Sequence, residues 1–467
     1  MAIKPESQSS ESRPPDREQA GLERGLGLRE AVALNMTDMV GIGPFVVSAL
    51  VIREMGGPQA LLAWVAGAVL ALLDGFVWSE LGAAMPRAGG SYVFLREAYG
   101  PQRWGRLMSF LFVWQTLIQA PLVIASGAIG FSQYATYLHP LSGWEQKAVS
   151  GAVVILLVVL LYRRITTIGK ISVFLWVGVI GTMLWLIVGG ATHFDARRAF
   201  TFPPGAFRLS SVFFAGLGAA MINTVYTYWG YYNICHLGGE LKQPERNIPR
   251  GIFISIAGIA VLYLAMQTSI LGVVPWQKAQ ESPFLVSTFV ETLYGGRAAS
   301  VATILVLWIA FASVFSALLG YSRVPYSAAL DGNFFPVFAR LHPKKHFPHR
   351  SLLLLGALAF GFSLLFKLET TIKAILAMRL LVQFVGQAVG VMLLRRRGGA
   401  QRLPFRMWLF PLPAVLTMLG WAWLYWETGP ARKWSLGVIG LGVVVFLLRG
   451  RVMREWPFAG KKGLEAA

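Results

Sequence analysis

The chain has 467 residues, a formal net charge of +20, 55% hydrophobic residues and only 14% charged ones, against about 25% charged in soluble globular domains. So few charges cannot cover a soluble surface, which argues against a soluble enzyme, a disordered scaffold and a disulfide-built secreted domain; the one cysteine, Cys235, permits no internal disulfide. A mean hydropathy of +0.57 and apolar runs along most of the chain predict instead an all-α polytopic membrane protein.

Residues 1–24 are rich in Ser, Pro and Glu and predict a disordered cytoplasmic tail. They hold no apolar stretch of the signal-peptide kind, so the first hydrophobic segment is expected to direct insertion. A spanning helix needs ~20 mostly apolar residues. About twelve such stretches follow, at 28–53, 58–85, 104–137, 146–162, 168–190, 210–237, 250–274, 298–327, 351–367, 370–394, 405–427 and 434–449. A basic tail closes the chain at 451–467.

Most of the 42 Lys and Arg fall in the two tails and in alternate loops, as with Arg87, Arg96, Arg103 and Arg106, or Arg395, Arg396, Arg397, Arg402 and Arg406. Cytoplasmic loops of membrane proteins carry such an excess, so both termini are expected in the cytoplasm of a multi-pass cell-membrane protein. The same bias explains the net charge without nucleic acid as a partner.

Two segments are interrupted. In the first, Gly41-Ile42-Gly43-Pro44 sits within the apolar run. Gly weakens a helix and Pro44 donates no backbone hydrogen bond. Lipid offers the freed backbone no partner, whereas a bound ligand or ion does. In the sixth, Tyr226-Thr227-Tyr228-Trp229-Gly230-Tyr231-Tyr232-Asn233 is polar and aromatic around one Gly. Secondary transporters place substrates at such breaks. Breaks five spans apart suit two inverted five-helix repeats, at about 28–190 and 210–394, within a core at 25–394. Two additional helices occupy 395–450. Gly67, Gly75, Gly127, Gly178 and Gly216 read as close-packing positions.

Few ionisable groups lie deep in the segments, and such groups have a function or a partner. Asp38 lies one turn before the first break and is a candidate to attract an amine or carry a proton, or else to cap the broken helix. Asp74 is expected to pair with Arg379, with a proton relay as its second reading. Glu80 is expected to be solvated near a helix end. His342, His346 and His349 stand among Pro, Lys344, Lys345 and Arg350, which reads as a solvated loop and not a metal site. There is no phosphate-binding Gly-rich loop followed by Lys-Ser/Thr, and no nucleophile–base signature is visible, so no cofactor and no enzymatic role are expected.

Five stretches in order resemble the amino acid–polyamine–organocation transporters. They are Asn35 to Phe45 (NMTDMVGIGPF), Met85 to Gly100 (MPRAGGSYVFLREAYG), Gly230 to Pro249 (GYYNICHLGGELKQPERNIP), Ser322 to Gly332 (SRVPYSAALDG) and Pro404 to Pro413 (PFRMWLFPLP). The resemblance covers nearly the whole chain after the tail. It implies the leucine-transporter-like fold and alternating access. It also implies a substrate carboxylate at the amides of Gly41, Ile42 and Gly43, where a half-helix start favours an anion. The substrate amine would meet carbonyls of Met39, Val40, Tyr226 and Trp229, and Tyr226 would be the gating aromatic. Glu240 matches a family Glu expected to brace the inner gate against a loop Arg. Ser313 and Ser316 are candidates to hold a sodium ion or to replace it by hydrogen bonds, although a serine bond to its own helix is the commoner role.

Two departures from the family stand out. Trp229 replaces an often small residue, and its ring either fills the side-chain pocket, favouring small substrates, or points into the bundle. No Lys stands within the fifth segment in place of a cation; Lys170 lies too early and Gly178 occupies the matching place. The expected function is secondary transport of amino acids, neutral ones first, by exchange or by proton- or sodium-linked symport. Carriage of polyamines or other organic cations on the same fold is the alternative, followed by a sensor or membrane enzyme that kept the fold. The sequence identifies no partner subunit.

Overall fold

The computed structural model describes residues 22–397 and 403–458. Most of the predicted N-terminal tail, and the last part of the C-terminal one, lie outside the described residues. The first half runs α1 (Leu28–Met39), α2 (Gly43–Met55), α3 (Leu61–Ala84), α4 (Ser91–Tyr99), α5 (Trp104–Ala135), α6 (Gly143–Leu161) and α7 (Ile165–Thr192). A single turn, α8 (Ala196–Ala199), leads to α9 (Ser211–Tyr228), the short α10 (Asn233–His236) and α11 (Pro244–Val273). Two short helices, α12 (Trp276–Ala279) and α13 (Leu285–Tyr294), precede α14 (Gly296–Tyr321) and α15 (Arg323–Leu330). The rest comprises α16 (His349–Leu365), α17 (Leu368–Arg379), α18 (Gly386–Arg396), α19 (Leu412–Glu427) and α20 (Ala431–Met453). A π-helical stretch, Leu380–Val385, joins α17 to α18.

Local chemistry explains the boundaries. Pro44 stands in the first turn of α2, where its missing N–H costs nothing. Ser142 and Glu145 cap α6 reciprocally, Ser142 N–H donating to Glu145 Oε2 at 2.7 Å and Glu145 N–H to Ser142 Oγ at 3.3 Å. Pro244 opens α11 in the same way as Pro44 opens α2.

Among the described residues eight helices are long and apolar enough to cross a membrane, and the α1–α2 pair, bent by 45°, is a ninth crossing if taken as one span. The predicted segments at 210–237, 351–367 and 405–427 hold the shorter helices α9, α16 and α19, of 18, 17 and 16 residues. Length and composition therefore carry eight or nine crossings rather than the twelve expected. α9 is short because its segment breaks after Tyr228.

The broken pair α1–α2 is central: α1 packs on α7, α11 and α14, and α2 on α9. α3 lies on α11, and α5 on α14 and α16. α20 is peripheral, touching α5 and α17, and leaves Trp434, Leu441 and Leu448 exposed, as a lipid-facing helix would. Gly67, Gly75, Gly127 and Gly178 sit where a Cβ would press on Thr224, Ile256, Val314 and Trp308 of neighbouring helices, and Gly216 where it would press on the Glu54 carbonyl. The 342–349 loop folds onto Tyr162, with Phe347 buried against its ring at 5.1 Å and Lys345 Nζ over it at 4.7 Å.

Glu80 corrects the sequence reading. It is fully buried. Its carboxylate accepts from Arg395 Nε at 2.6 Å, Arg395 Nη2 at 2.5 Å and the Met407 amide at 2.7 Å. The end of α18 and the segment before α19 fold back over α3, so a charge expected in water is enclosed with its partner.

Candidate functional site

The first break begins at Met39. The Val40 amide still reaches Met36 O at 2.9 Å, and the Gly41 amide turns back to Met39 O at 3.0 Å. Helical bonding resumes with Phe45 N to Ile42 O at 3.1 Å. The Ile42 and Gly43 amides thus stand at the start of α2, where no helical carbonyl precedes them, at the positive end of its dipole. Of the three amides expected for an anion, the one of Gly41 is already used by the chain itself.

The second break runs from Trp229 to Tyr232, with Trp229 extended and Gly230 at φ 120°. The two breaks are stitched together. Asn35 Nδ2 donates to Tyr231 O at 2.5 Å, and its Oδ1 accepts from the Ile234 amide at 3.1 Å. The Tyr263 hydroxyl lies 2.7 Å from Met39 O and 3.1 Å from Thr227 O. Met39 O, expected to greet an amine, therefore already serves both Tyr263 and Gly41.

Ser313 and Ser316 of α14 do not bond to their own helix. Ser313 Oγ donates to Asp38 O at 3.1 Å and Ser316 Oγ to Leu34 O at 2.8 Å. Asn233 Nδ2 reaches both Ser316 O and Ser316 Oγ at 2.9 Å. Hydroxyls thus hold the α1 carbonyls directly.

A cavity of about 60 Å³ lies between the breaks. Asp38, Met39, Gly41, Ile42, Gly43, Tyr226, Trp229 and Ser313 border it; Val40, Asp74, Glu240 and Ser316 do not. Sequence reasoning missed Thr227, Tyr232, Tyr321 and Arg379 in its wall. Tyr226 lies beside Gly43, and its hydroxyl is 3.2 Å from Ser126 Oγ. Trp229 does two things at once: it borders the cavity and stacks on Phe384 at 5.2 Å with an interplanar angle of 12°.

The expected Asp74–Arg379 pair is absent. Three neutral groups hold the Asp74 carboxylate: Trp78 Nε1 at 2.8 Å, Tyr231 Oη at 2.5 Å and Trp421 Nε1 at 3.2 Å. Asp74 faces the second break and α19, away from the cavity. Arg379 turns instead into a cage of rings, its guanidinium carbon 4.7 Å from the Trp229 centroid, 5.1 Å from Tyr232, 5.4 Å from Tyr321 and 5.8 Å from Phe384.

Where α1 starts, the structure is closed by buried ion pairs. Glu240 and Arg323 form a two-pronged pair, with Nη2 2.7 Å from Oε1 and Nε 2.8 Å from Oε2. Arg323 belongs to the start of α15, not to a loop. The chain before α1 is tied to the same place, since the Leu26 amide reaches Glu240 O at 3.1 Å. Asp331 pairs with Arg96 and, at 3.7 Å, with Arg87. At the other end a hollow of about 1040 Å³ begins one turn further along α2, at Val46, and along α5, at Ile129. The site is sealed on one side and roomy on the other.

The family model for amino acid permeases matches residues 26–448, nearly the whole described chain. The chain belongs to the amino acid permease family. Its sequence is 26% identical to the serine/threonine exchanger SteT of Bacillus subtilis over 86% of this chain and 90% of that protein. It is 25% identical to the human cystine/glutamate transporter over 86% of this chain and 80% of that one. Human cationic amino acid transporter 4 is 26% identical over 81% of this chain, which spans only 60% of that relative's length. The protein is thus a multi-pass secondary transporter of the amino acid–polyamine–organocation superfamily, and family and fold are those of a carrier rather than an enzyme. At Gly178, where some of the family would place a Lys, the Trp308 indole closes the space and donates to Leu175 O at 3.2 Å.

Proposed function

We propose that the protein carries amino acids across the cell membrane by alternating access, with both termini in the cytoplasm. The full reading is two inverted five-helix repeats, at about 28–190 and 210–394, followed by two helices at 395–450. The observation that carries it is the pairing of the two helix breaks around one cavity, with Gly230 set against Asp38 and Met39. The Ile42 and Gly43 amides receive the substrate carboxylate. Asp38 and the carbonyls around it receive the amine. Tyr226 is the lid on the roomy side, and the Glu240–Arg323 pair is the brace on the sealed side.

Exchange or proton-linked symport fits the site better than sodium coupling. Ser313 and Ser316 already donate to α1 carbonyls, which supports a reading in which hydrogen bonds stand in for an ion. Asp38 is then the candidate proton carrier. Polyamine transport is the weaker reading, because Arg379 puts a cation in the wall of the cavity.

The test is uptake of labelled amino acids into proteoliposomes, with and without internal amino acid, and with putrescine as competitor. Stimulation by internal amino acid is expected for an exchanger; uptake driven by an imposed pH gradient is expected for a symporter. Binding without flux would make the protein a sensor. A second check is Gly43→Val. Its Cβ would stand 2.9 Å from Thr227 Cγ2 and 3.3 Å from Tyr226 Cε1, between the backbone amides and the ligand. Uptake should fall by about two orders of magnitude, the scale of a small misplacement of a bound substrate, while the protein still inserts. Normal uptake would remove the carboxylate from this break.

A further inference from the structure

Arg379 is the one feature of the cavity that amino acid transport in general does not account for. It is buried, at 3% exposure, and a guanidinium has five N–H donors. Nε is used, donating to Gln383 Oε1 at 2.9 Å. Nη2 is buried and has no hydrogen-bond partner. The ring cage satisfies its charge in part, the Tyr232 hydroxyl accepts a hydrogen bond from it and Asp38 lies within electrostatic reach, but none of them serves Nη2. An arginine inside a membrane protein, bordering a ligand cavity with an unused buried donor, is arranged for an anionic group.

We infer that the transported amino acid carries an acidic side chain, whose carboxylate binds Arg379 at the cavity wall. This rests on the reading of the cavity as an amino acid site. The charges then match one to one. The ammonium faces Asp38, the α-carboxylate faces the Ile42 and Gly43 amides, and the side-chain carboxylate faces Arg379. A neutral amino acid leaves Arg379 Nη2 without an acceptor. A basic one, or a polyamine, brings like charge against it.

The entrance supports the same substrate independently. The large hollow is bordered by Arg53, Lys147, Lys367 and Lys373, against Glu54 and Glu281. Its basic excess draws anions towards the site. Lys367 and Lys373 stand on or just before α17, the helix that carries Glu369 between them and ends at Arg379.

The experiment compares isosteres on the purified full-length protein. Aspartate and glutamate are set against asparagine and glutamine, as competitors of uptake into proteoliposomes and as ligands that raise the melting temperature in detergent. A site that uses a polar group rejects the analogue lacking it strongly, so each acid should outcompete its amide by at least about tenfold and give the larger thermal shift. Arg379→Gln should bring that ratio close to one, and Arg379→Lys should restore part of it. Amides that compete as well as acids overturn the inference, as does an Arg379→Gln variant that keeps the preference. If that variant does not fold, the thermal shifts of the unaltered protein decide. Flux of neutral amino acids alone overturns this inference and leaves the functional reading intact. Flux of no amino acid overturns both.

Discussion

Glu240→Gln is expected to destabilise the purified protein by about 3–5 kcal/mol, the usual cost of leaving one member of a buried ion pair without its counter-charge. Arg323 has nowhere else to go. Its side chain is 2% exposed and that of Glu240 is fully buried. Nε and Nη2 serve Glu240, while Nη1 already donates to Leu319 O at 3.0 Å and Ser322 Oγ at 2.8 Å. Removing both charges is a different experiment. Glu240→Leu with Arg323→Met should recover most of the lost stability, because a buried pair exchanged for apolar residues of similar size is often neutral. Transport should separate the two variants from the parent. The pair ties α15 to the segment after α10, and Glu240 O also holds Leu26 ahead of α1. A carrier without the pair lacks the brace that keeps this side shut, so coupled uptake should fall even when the double variant is stable. Melting curves in detergent and uptake in proteoliposomes check both parts. A single variant that melts like the parent would show that the pair is not the brace.

The sequence made the two breaks legible because each concentrates residues that a membrane helix tolerates poorly. Gly41-Ile42-Gly43-Pro44 combines two glycines with a residue that cannot donate. It could not show what holds the breaks together. The partners of Asn35 and Tyr263 lie 196 and 224 residues away along the chain. Asp74 and Arg379 were paired in the sequence reading as two deep charges of opposite sign. The error has a physical source: hydropathy counts Trp78 and Trp421 as apolar, yet their indole N–H groups are the donors that satisfy Asp74. Glu80 misled for a similar reason. Its distance from the end of α3 suggested water, but its partner Arg395 arrives from 315 residues further on. Spacing along one helix carries no information about such partners.

Gly230→Ala is expected to abolish transport, and it tests the juxtaposition of the two breaks more directly than any change of a charged residue. Gly230 has φ 120°, a conformation that an L side chain rarely adopts. A non-glycine residue held there costs about 1–3 kcal/mol. Space adds to strain. A Cβ would stand 2.7 Å from Met39 N, 2.8 Å from Asp38 C and 2.9 Å from Asp38 Cβ. These are mostly backbone atoms, so no rotamer change relieves the contact, and overpacking of this kind costs a further ~1–3 kcal/mol. The cheapest response is to push α1 away from the second break, which would displace Asp38 and the amides of Ile42 and Gly43 together. Gly437→Ala on the peripheral α20 is the control, since its Cβ meets nothing within 4 Å; that variant should transport and melt like the parent. If Gly230→Ala transports normally, the two breaks do not need their close contact, and the shared cavity between them is not where the substrate is held.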